Sequence, residues 1–426
     1  MKVSEIKHAL TEGALNKYSH IYADTSSEAA RVSLMLDRFS EIYGDKDVFV
    51  FSVPGRSEIL GNHTDHNNGC VLAGAIDRDI VAIASKNDEG VIRFYSEGYT
   101  PDAVVISECD NPDNFDNYTS ASLIAGMVDG FVNKGYSVGG CDVYSASAVL
   151  KGSGISSSAA YEVMVGNILN HIYNGGNVNN QEIAKLAQYA ENRYFGKPSG
   201  LMDQMACAVG GFVYIDFEDN KNPIVEPIDF SLKDQGYSLC IVNTGGNHAD
   251  LNDDYASVPG EMKSVAKMLG KQTLRGITES ELMAKSSAVR EQLGDRALLR
   301  AIHFIRENER VNAAKSALVS GDVDRFLYTV SASGASSFKY LQNVYTNVNV
   351  KEQGLSLALA IADGFLESRG GAHRVHGGGF AGTIQVFVKN ADLQSLVELM
   401  DGVFGKGSSM TLSIRPLGAI KLDLEN

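Results

Sequence analysis

The sequence lacks both a long apolar stretch and a run of basic residues. No segment approaches the roughly 18 consecutive apolar residues of a membrane-spanning helix, so no membrane span is predicted. The opening segment, MKVSEIKHALTEGALNKY, has the mixed charges of an amphipathic helix and no apolar signal core. We therefore expect a protein that is not exported, has no membrane partner and works in the cytoplasm.

Positive charge is scarce, since 37 Lys and Arg residues stand against 52 Asp and Glu residues, for a formal net charge of −15. Such a chain repels a nucleic-acid backbone unless it carries a local basic stripe, and the sequence shows none. Nucleic acid is therefore excluded as a partner.

The five cysteines are an odd number without a CxxC pair, which indicates a reducing compartment and argues against a structural zinc site.

The length of 426 residues favours two compact domains. Short strands with period-2 patterning alternate with glycine-rich turns in the first third, and helical patterns follow from Ile155 onwards. The segment 216–227 is rich in Asp, Asn and Pro and is the predicted domain seam, so the expected domains are 1–222 and 223–426. The predicted fold class is α+β. Later elements are predicted as strands at 237–243, 382–388 and 419–424, with long helices between Pro259 and Leu341.

Three polar or small-residue segments lie next to predicted strands or helices. The first, GRSEILGNHTDHNNG at 55–69, combines Arg, Asn, His, Thr and Asp, and a polyhydroxylated ligand would satisfy many such groups. A solvated loop is the alternative. A zinc site at His63 and His66 is disfavoured, because no HExxH helix frame is present.

The second segment, LKGSGISSSAA at 150–160, opens a predicted helix. Small residues allow a phosphate to approach the backbone, and the N–H groups at a helix start bind anions. Its spacing does not fit the GxxxxGK[ST] phosphate loop. The alternative interpretation is a serine-rich helix cap with alanines for close packing.

The third segment, HGGGFAG at 376–382, matches GxGxxG at Gly377, Gly379 and Gly382. A dinucleotide site needs a helix after this motif, but the strand-like TIQVFV follows, so we reject that site. Taken alone, the segment predicts a glycine turn before a strand. Three such segments in one chain, together with a candidate catalytic carboxylate, favour a functional site.

Together these segments resemble the GHMP family of small-molecule kinases, and within it the galactokinases. The first segment is similar to the galactokinase signature, the second to the phosphate loop of the family, and the third to its C-terminal glycine motif. The resemblance implies an N-terminal S5-like domain, a C-terminal ferredoxin-like domain and an active site in the interdomain cleft. It also implies a monomeric sugar 1-kinase that uses ATP and Mg²⁺. Matching pieces also occur at 117–118 (NY), 191 (E), 200–204 (GLMDQ) and 254–255 (DY).

The resemblance implies a role for each matching residue. Asp203 matches the catalytic carboxylate that faces the sugar hydroxyl, and Arg56 matches the guanidinium beside it, which would keep Asp203 ionised. Ser158 and Glu191 match metal ligands. The implied sugar contacts are Asn62, His63, Asp65, Gly200 and Tyr255. The implied nucleotide contacts are Gly152, Ser153, Gly154, Ser156, Ser157, Ser158, Ala159 and Phe115, the last either stacked on adenine or packed in the core.

Three residues depart from the family pattern: Asn62 stands in place of Glu, His66 in place of Tyr, and Ala381 in place of Gly. Galactose is the expected substrate. Because Asn62 replaces a charged acceptor with a neutral amide, N-acetylgalactosamine, galacturonate and arabinose stay open as alternatives. A non-catalytic sugar and ATP sensor is a further alternative, which the intact serine run and the Arg56 and Asp203 pair disfavour. If Asn62 contacts galactose, Asn62→Glu is expected to retain or improve galactose use.

Overall fold

A computed structural model describes residues 1–149, 154–197, 199–246 and 251–425. Among these residues, no helix combines the length and hydropathy needed to cross a bilayer. The α-helices are α1 (Val3–Thr11), α2 (Thr25–Tyr43), α3 (Ser120–Asn133), α4 (Ser157–Tyr173), α5 (Asn180–Ala190), α6 (Met202–Val209), α7 (Asn252–Met268), α8 (Glu279–Ala284), α9 (Ser286–Leu293), α10 (Asp295–Ser320), α11 (Val323–Ser336), α12 (Gly354–Leu366) and α13 (Leu393–Phe404). The strands are β1 (Phe49–Leu60), β2 (Cys70–Lys86), β3 (Val91–Ser96), β4 (Asp102–Val105), β5 (Cys141–Ser147), β6 (Phe212–Asp216), β7 (Ile224–Ile228), β8 (Tyr237–Asn243), β9 (Ala372–His376), β10 (Thr383–Lys389), β11 (Ser409–Leu412) and β12 (Ile420–Leu422).

The chain forms two compact units, and each is built from separate segments. Unit 1 contains Met1–Arg56, Ala75–Gly211 and Arg415–Asn426, and unit 2 contains Ser57–Gly74 and Phe212–Ile414. The units differ from a single division after residue 222, because β1 and β2 each continue from one unit into the other. The assignment of 1–222 and 223–426 as functional domains stays a prediction.

Unit 1 is a mixed sheet covered by helices. Within it, β2 pairs antiparallel with β5, β5 pairs parallel with β3, and β3 pairs antiparallel with β4. The strand β12 pairs antiparallel with β1 at Val50–Ser52. Apolar residues of α1 and α2, such as Ile6, Leu36 and Phe39, form one core with Val81 and Ile83 of β2. Helices α3 to α6 pack on one another in the same unit.

A buried polar cluster ties the chain segment that contains β12 into unit 1. Asp79 accepts hydrogen bonds from Arg31 Nη2 at 2.6 Å, Ser52 Oγ at 2.5 Å and Arg415 Nη1 at 3.2 Å. Burial acts to raise the pKa of Asp79, but the two guanidinium groups hold it below its usual value. Arg415 is buried, and Asp79 is the carboxylate that balances its charge, while Asp79 pairs with both Arg31 and Arg415.

Unit 2 contains a four-stranded antiparallel sheet in the order β11-β8-β10-β9. Residues of α12 and α13, including Leu359 and Leu396, share an apolar core with Val242 and Val386 of this sheet. Helices α7 to α10 form a second core, centred on Val258, Met262 and Phe304. The two units thus agree with the predicted α+β class.

Most predicted elements are present, with two differences. Strand β8 covers the predicted 237–243, but the predicted loop 216–227 contains β7, which pairs with β6. The helix expected to begin at Pro259 begins at Asn252, so Pro259 lies inside α7. A proline suits a first helical turn, but Asp253 and Asp254 also favour a helix start through the dipole, and the prediction overlooked them.

Candidate active site

Arg56 and Asp203 contact each other in unit 1. The Arg56 Nε atom donates to Asp203 Oδ1 at 2.7 Å, and Nη2 donates to Oδ2 at 2.8 Å, a two-point guanidinium–carboxylate pair. The side chain of Asp203 is 31% exposed and that of Arg56 is 10% exposed. The predicted catalytic pair is therefore assembled, with its carboxylate partly exposed.

The local backbone explains how the pair forms. Asp203 lies in the first turn of α6, where a helix dipole favours a carboxylate. Arg56 lies in β1, directly after Gly55, and its backbone N–H donates to Ile155 O at 3.1 Å. A Cβ atom on Gly55 would lie 2.6 Å from Ile155 O, so glycine is required for this close approach.

The residues before α4 also contact this pair. Arg56 Nη1 donates to Gly154 O at 2.6 Å, and Ser156 Oγ donates to Asp203 Oδ2 at 2.5 Å. Gly154 has φ +75° and Ser156 has φ +61°. This left-handed conformation is unfavourable for any residue that carries a side chain. Strained backbone conformations of this kind occur at functional sites, and the one at Ser156 directs its hydroxyl towards Asp203.

Asp203 is ionised near neutral pH. Burial acts to raise its pKa, but the charge and hydrogen bonds of Arg56 and the Ser156 hydroxyl hold the pKa below the usual value. An ionised carboxylate accepts protons and hydrogen bonds only, so the pair is suited to orient a hydroxyl group and receive its proton.

Glu191 forms a second polar centre in unit 1. It is buried and begins a π-helical turn, Glu191–Phe195, a rare feature that is frequent at functional sites. Ser158 Oγ of α4 donates to Glu191 Oε1 at 3.3 Å, and Lys197 Nζ donates to the same oxygen at 2.8 Å. The predicted metal residues Ser158 and Glu191 are therefore together, and a lysine cation already faces their carboxylate.

Gln204 links Glu191 to another buried carboxyl group that the prediction missed. Its Nε2 donates to Glu191 Oε2 at 2.7 Å and to Glu162 Oε2 at 3.2 Å. Burial raises the pKa of Glu162 well above its usual value, and the nearby Glu191 charge adds to this. The GLMDQ motif placed Gln204 beside Asp203, which could have drawn attention to it, whereas no sequence signal identifies Glu162 or Lys197.

Two of the remaining predicted nucleotide residues, Gly152 and Ser153, lie outside the described residues. Ser157 begins α4, so a helix starts within this segment as predicted, and Ala159 is buried two residues later. Phe115 is half-buried at the end of a short 3-10 helix, Pro112–Asn114.

Three of the predicted sugar residues of unit 2, Asn62, His63 and Tyr255, contact the glycine motif. Asn62 and His63 are buried, and Asp65 and Tyr255 are half-buried. His63 Nε2 lies 2.8 Å from Gly378 O, so this nitrogen carries the proton and Nδ1 keeps an acceptor lone pair. Tyr255 donates its hydroxyl hydrogen to Gly379 O at 2.8 Å. Gly200, in unit 1, is half-buried two residues before α6.

The glycine motif allows these contacts because its residues lack side chains. A Cβ atom on Gly378 would lie 2.2 Å from the Tyr255 ring, and one on Gly379 would lie 2.0 Å from Asn343 O. Ala381, where the family has glycine, is accommodated differently. A Cβ atom on Gly246 would lie 2.8 Å from Ala381 Cβ, so glycine at 246 makes room for alanine at 381.

The chain is similar to known proteins in sequence and in fold. The galactokinase galactose-binding signature matches residues 37–86, and the GHMP kinase N-terminal domain matches residues 122–211. Galactokinase of Streptomyces coelicolor is 32% identical over 373 residues, which cover 86% of this chain and 92% of that protein. The chain belongs to the galactokinase family. The predicted family, and with it the class of ATP-dependent sugar kinases, is confirmed.

Other relatives agree on family and fold. Galactokinase of Enterococcus faecalis is 28% identical, with 86% of this chain and 92% of that protein covered. The crystal structure of Lactococcus lactis galactokinase complexed with galactose superimposes with a TM-score of 0.77 at 24% identity, covering 92% of this chain and 99% of that one. A mevalonate kinase structure gives a TM-score of 0.59 at 14% identity, covering 87% and 99%. The predicted two-domain GHMP kinase fold is confirmed.

Two buried histidines of unit 2 predict how stability depends on pH. Burial lowers the pKa of His63 to about 3 and that of His303 to about 4. An unfolded histidine takes up a proton below a pH of about 6.5, so the unfolded state binds more protons and the folded state loses stability as pH falls. At pH 5 we expect a loss of roughly 2 kcal/mol for each histidine relative to pH 7.

Urea unfolding at pH 7 and pH 5 measures this dependence. His303→Gln removes one of the two titrating groups, so the difference between the two pH values should shrink by roughly 2 kcal/mol. An unchanged difference in the variant would mean that His303 is not held neutral in the folded protein.

Proposed function

We propose that this protein transfers the γ-phosphoryl group of Mg-ATP to the anomeric hydroxyl of galactose, giving galactose 1-phosphate and ADP. The observation that carries the proposal is the ionised Asp203, held by a two-point Arg56 contact beside the start of α4. The curated relatives named above are galactokinases, which supports galactose as the acceptor.

The proposed chemistry uses few protein groups. The anomeric oxygen forms a bond to the γ-phosphorus while the bond from that phosphorus to the bridging oxygen breaks, and ADP leaves with the electron pair. Asp203 orients the sugar hydroxyl and accepts its proton as the new bond forms. Arg56 keeps Asp203 ionised, and it stabilises negative charge that develops nearby.

Ser158 and Glu191 fit a magnesium ion. Hydroxyl and carboxylate oxygens are preferred ligands of Mg²⁺, and Ser158 Oγ lies 3.3 Å from Glu191 Oε1. Lys197 Nζ, 2.8 Å from the same carboxylate oxygen, would give up this contact to an ion bound there. The described residues contain no cluster of three or more metal-binding side chains, and a kinase magnesium typically takes its other ligands from phosphates and water. Bound there, the ion would neutralise phosphate charge during transfer.

The nucleotide is proposed to bind the segment 152–159 at the start of α4, with Phe115 on the adenine. Gly154→Val is expected to weaken ATP binding about tenfold or more, because the left-handed backbone there penalises a side chain by roughly 1–2 kcal/mol. Galactose affinity should change less. Calorimetric titration of the variant with ATP measures this.

Gly90→Val is the matched control for Gly154→Val. Gly90 has φ +68°, and a Cβ atom there meets nothing within 4 Å, so the same strain is introduced in the turn between β2 and β3. Equal ATP affinity in Gly154→Val and wild type would reject the proposed phosphate loop. A comparable loss in Gly90→Val would attribute the effect to general destabilisation.

The proposed sugar contacts are His63, Asp65, Gly200 and Tyr255. The modified sugars named above became alternatives because Asn62 replaces a carboxylate. The hydrogen bonds of Asn62, described below, are all made within unit 2, so that substitution is weak evidence for a different sugar.

The test is ADP release with Mg-ATP over galactose, N-acetylgalactosamine, galacturonate, arabinose and glucose. We expect the highest kcat/KM on galactose, and we expect Asp203→Asn protein prepared in the same way to show little ADP release. A higher kcat/KM on another sugar would reassign the substrate, and no ADP release with any sugar would support the sensor alternative. The monomeric state and the cytoplasmic location stay predictions, and light scattering after size exclusion tests the first.

A further inference from the structure

The side chain of Asn62 uses its whole hydrogen-bonding capacity within unit 2. Its Nδ2 donates to Glu58 Oε1 at 2.9 Å and to Gly377 O at 2.7 Å. Its Oδ1 accepts from Asn343 Nδ2 at 2.7 Å and from Ser337 Oγ at 3.4 Å. An amide offers two N–H groups and two lone pairs, so all four positions of this fully buried residue are occupied.

The orientation of the amide follows from its neighbours. Gly377 O can only accept a hydrogen bond, so the Asn62 atom that faces it must be the nitrogen. Asn343 Nδ2 also lies 3.0 Å from Gly378 O, which fixes the Asn343 amide in the same way. Two carbonyl oxygens of the glycine motif therefore determine which groups of Asn62 and Asn343 face each other.

The backbone of this segment is held as well. His303 Nε2 lies 3.0 Å from Asn62 O, and Gly61 N donates to Glu307 Oε1 at 3.1 Å. Burial acts to raise the pKa of Glu307, but Arg310 and other partners hold it at about 2, so this acceptor is charged. The main chain and the side chain of Asn62 are thus fixed by different parts of unit 2.

Three consecutive carbonyl oxygens of the glycine turn, 377–379, receive side-chain donors. Asn62 donates to Gly377 O, His63 and Asn343 donate to Gly378 O, and Tyr255 donates to Gly379 O. Two of these donors come from the loop 61–67. The orientation of each peptide plane in the turn is therefore set in part by that loop.

We propose that Asn62 is a positioning residue, which fixes the glycine turn 377–379 to the loop 61–67 and does not itself bind the sugar. A carboxylate at this position could not donate to Gly377 O, whereas the amide donates twice and accepts twice. Asn62 thus replaces the charged acceptor of the family pattern with an amide that forms hydrogen bonds within unit 2. The kinetic part of this proposal rests on galactose kinase activity, and the structural part does not.

The kinetic test compares Asn62→Ala with wild type on galactose and on the four monodeoxy galactoses that keep the anomeric hydroxyl. A positioning residue affects every substrate alike, so we expect kcat/KM to fall by about the same factor, roughly 10²-fold, on each sugar that the wild type uses. If the loss disappears for one deoxy sugar alone, Asn62 contacts the missing hydroxyl and the proposal is wrong. Unchanged kcat/KM on galactose would also overturn it.

Asn170→Ala is the matched control, because Asn170 is another buried amide with a purely structural place. Its Nδ2 donates to Val178 O at 2.8 Å, and its Oδ1 accepts from Val178 N at 3.0 Å. We expect this variant to lower thermal stability without the uniform loss of kcat/KM. If Asn62→Ala does not fold, Asn343→Ala removes the hydrogen bond between Asn343 and Asn62 from the other side. This variant is then assayed with the same series of sugars.

A second measurement is independent of catalysis. Phe380 N donates to Asn343 O, and Ala381 N donates to Gly379 O, so both amides report on the glycine turn. In Asn62→Ala we expect their hydrogen exchange to accelerate by roughly tenfold, as for the loss of a hydrogen bond. Exchange at the wild-type rate would overturn the proposal. If wild type fails to phosphorylate galactose, the proposed function fails while this measurement still decides the role of Asn62.

Discussion

Asp203→Asn is expected to lower turnover on galactose by about 10²–10⁴-fold, the usual cost of losing a general base. The amide keeps the shape of the carboxylate but has one acceptor oxygen for the donors of Arg56 and Ser156, and it cannot receive a proton. The fold should survive, because Asp203 is 31% exposed and the amide oxygen still accepts a hydrogen bond from the buried Arg56 guanidinium. Steady-state kinetics and thermal unfolding of the same preparation separate the two effects.

Asp102→Asn is the matched control for this variant. Asp102 Oδ2 accepts a hydrogen bond from Ser120 Oγ at 2.5 Å, so the substitution removes another serine-bonded carboxylate of unit 1. We expect near-normal turnover in Asp102→Asn. Retention of more than half of wild-type turnover in Asp203→Asn would show that Asp203 is not the catalytic carboxylate.

Asn62→Glu is expected to lose both activity and stability, which reverses the expectation drawn from the family pattern. The new carboxylate would face the Glu58 carboxylate and Gly377 O in a fully buried position. The nearby Arg374 already has other partners, since its Nη2 donates to Glu58 Oε1 at 3.3 Å and its Nη1 donates to Ile59 O at 2.8 Å. A buried charge without a partner costs about 3–5 kcal/mol, a large part of the stability of a typical protein.

Asn62→Gln separates charge from size, since it adds the same methylene group without a charge. Urea unfolding should show a larger loss for Asn62→Glu than for Asn62→Gln, and galactose kinetics should follow the same order. Equal or better galactose use in Asn62→Glu would restore the original interpretation, in which the side chain at 62 is a sugar ligand.

The sequence was sufficient to predict that Arg56 and Asp203 lie side by side, since both lie in motifs whose joint pattern is specific. It was insufficient for Asn62, because the partners of that side chain lie far along the chain. Asn343 is 281 positions away and Gly377 is 315 positions away, and neither distance leaves a local pattern. Glu162 likewise lies 42 positions from Gln204, and their hydrogen bond depends on how α4 and α6 pack. Lys197 is only 6 positions from Glu191, but no sequence motif marked their contact.

His376 shows a related difficulty. The sequence predicts a glycine turn over 376–382, but the first residue of that segment, His376, is buried at the end of β9 with Nδ1 2.9 Å from Thr383 Oγ1. A single histidine before three glycines resembles a turn in any local pattern. His376 belongs to a strand because β9 pairs with β10, and this pairing forms only in the folded sheet.

The buried contact between Asp79 and Arg415 has a consequence for how the protein is made. During synthesis on the ribosome, Asp79 emerges long before Arg415, and all of Phe212–Ile414 is translated in between. Until then β1 has no β12 to pair with, and of the two guanidinium groups that contact Asp79 among the described residues, that of Arg31 alone is present. Unit 1 therefore reaches its final form only after the residues of unit 2 have been produced, and translation that stops before Arg415 leaves unit 1 incomplete.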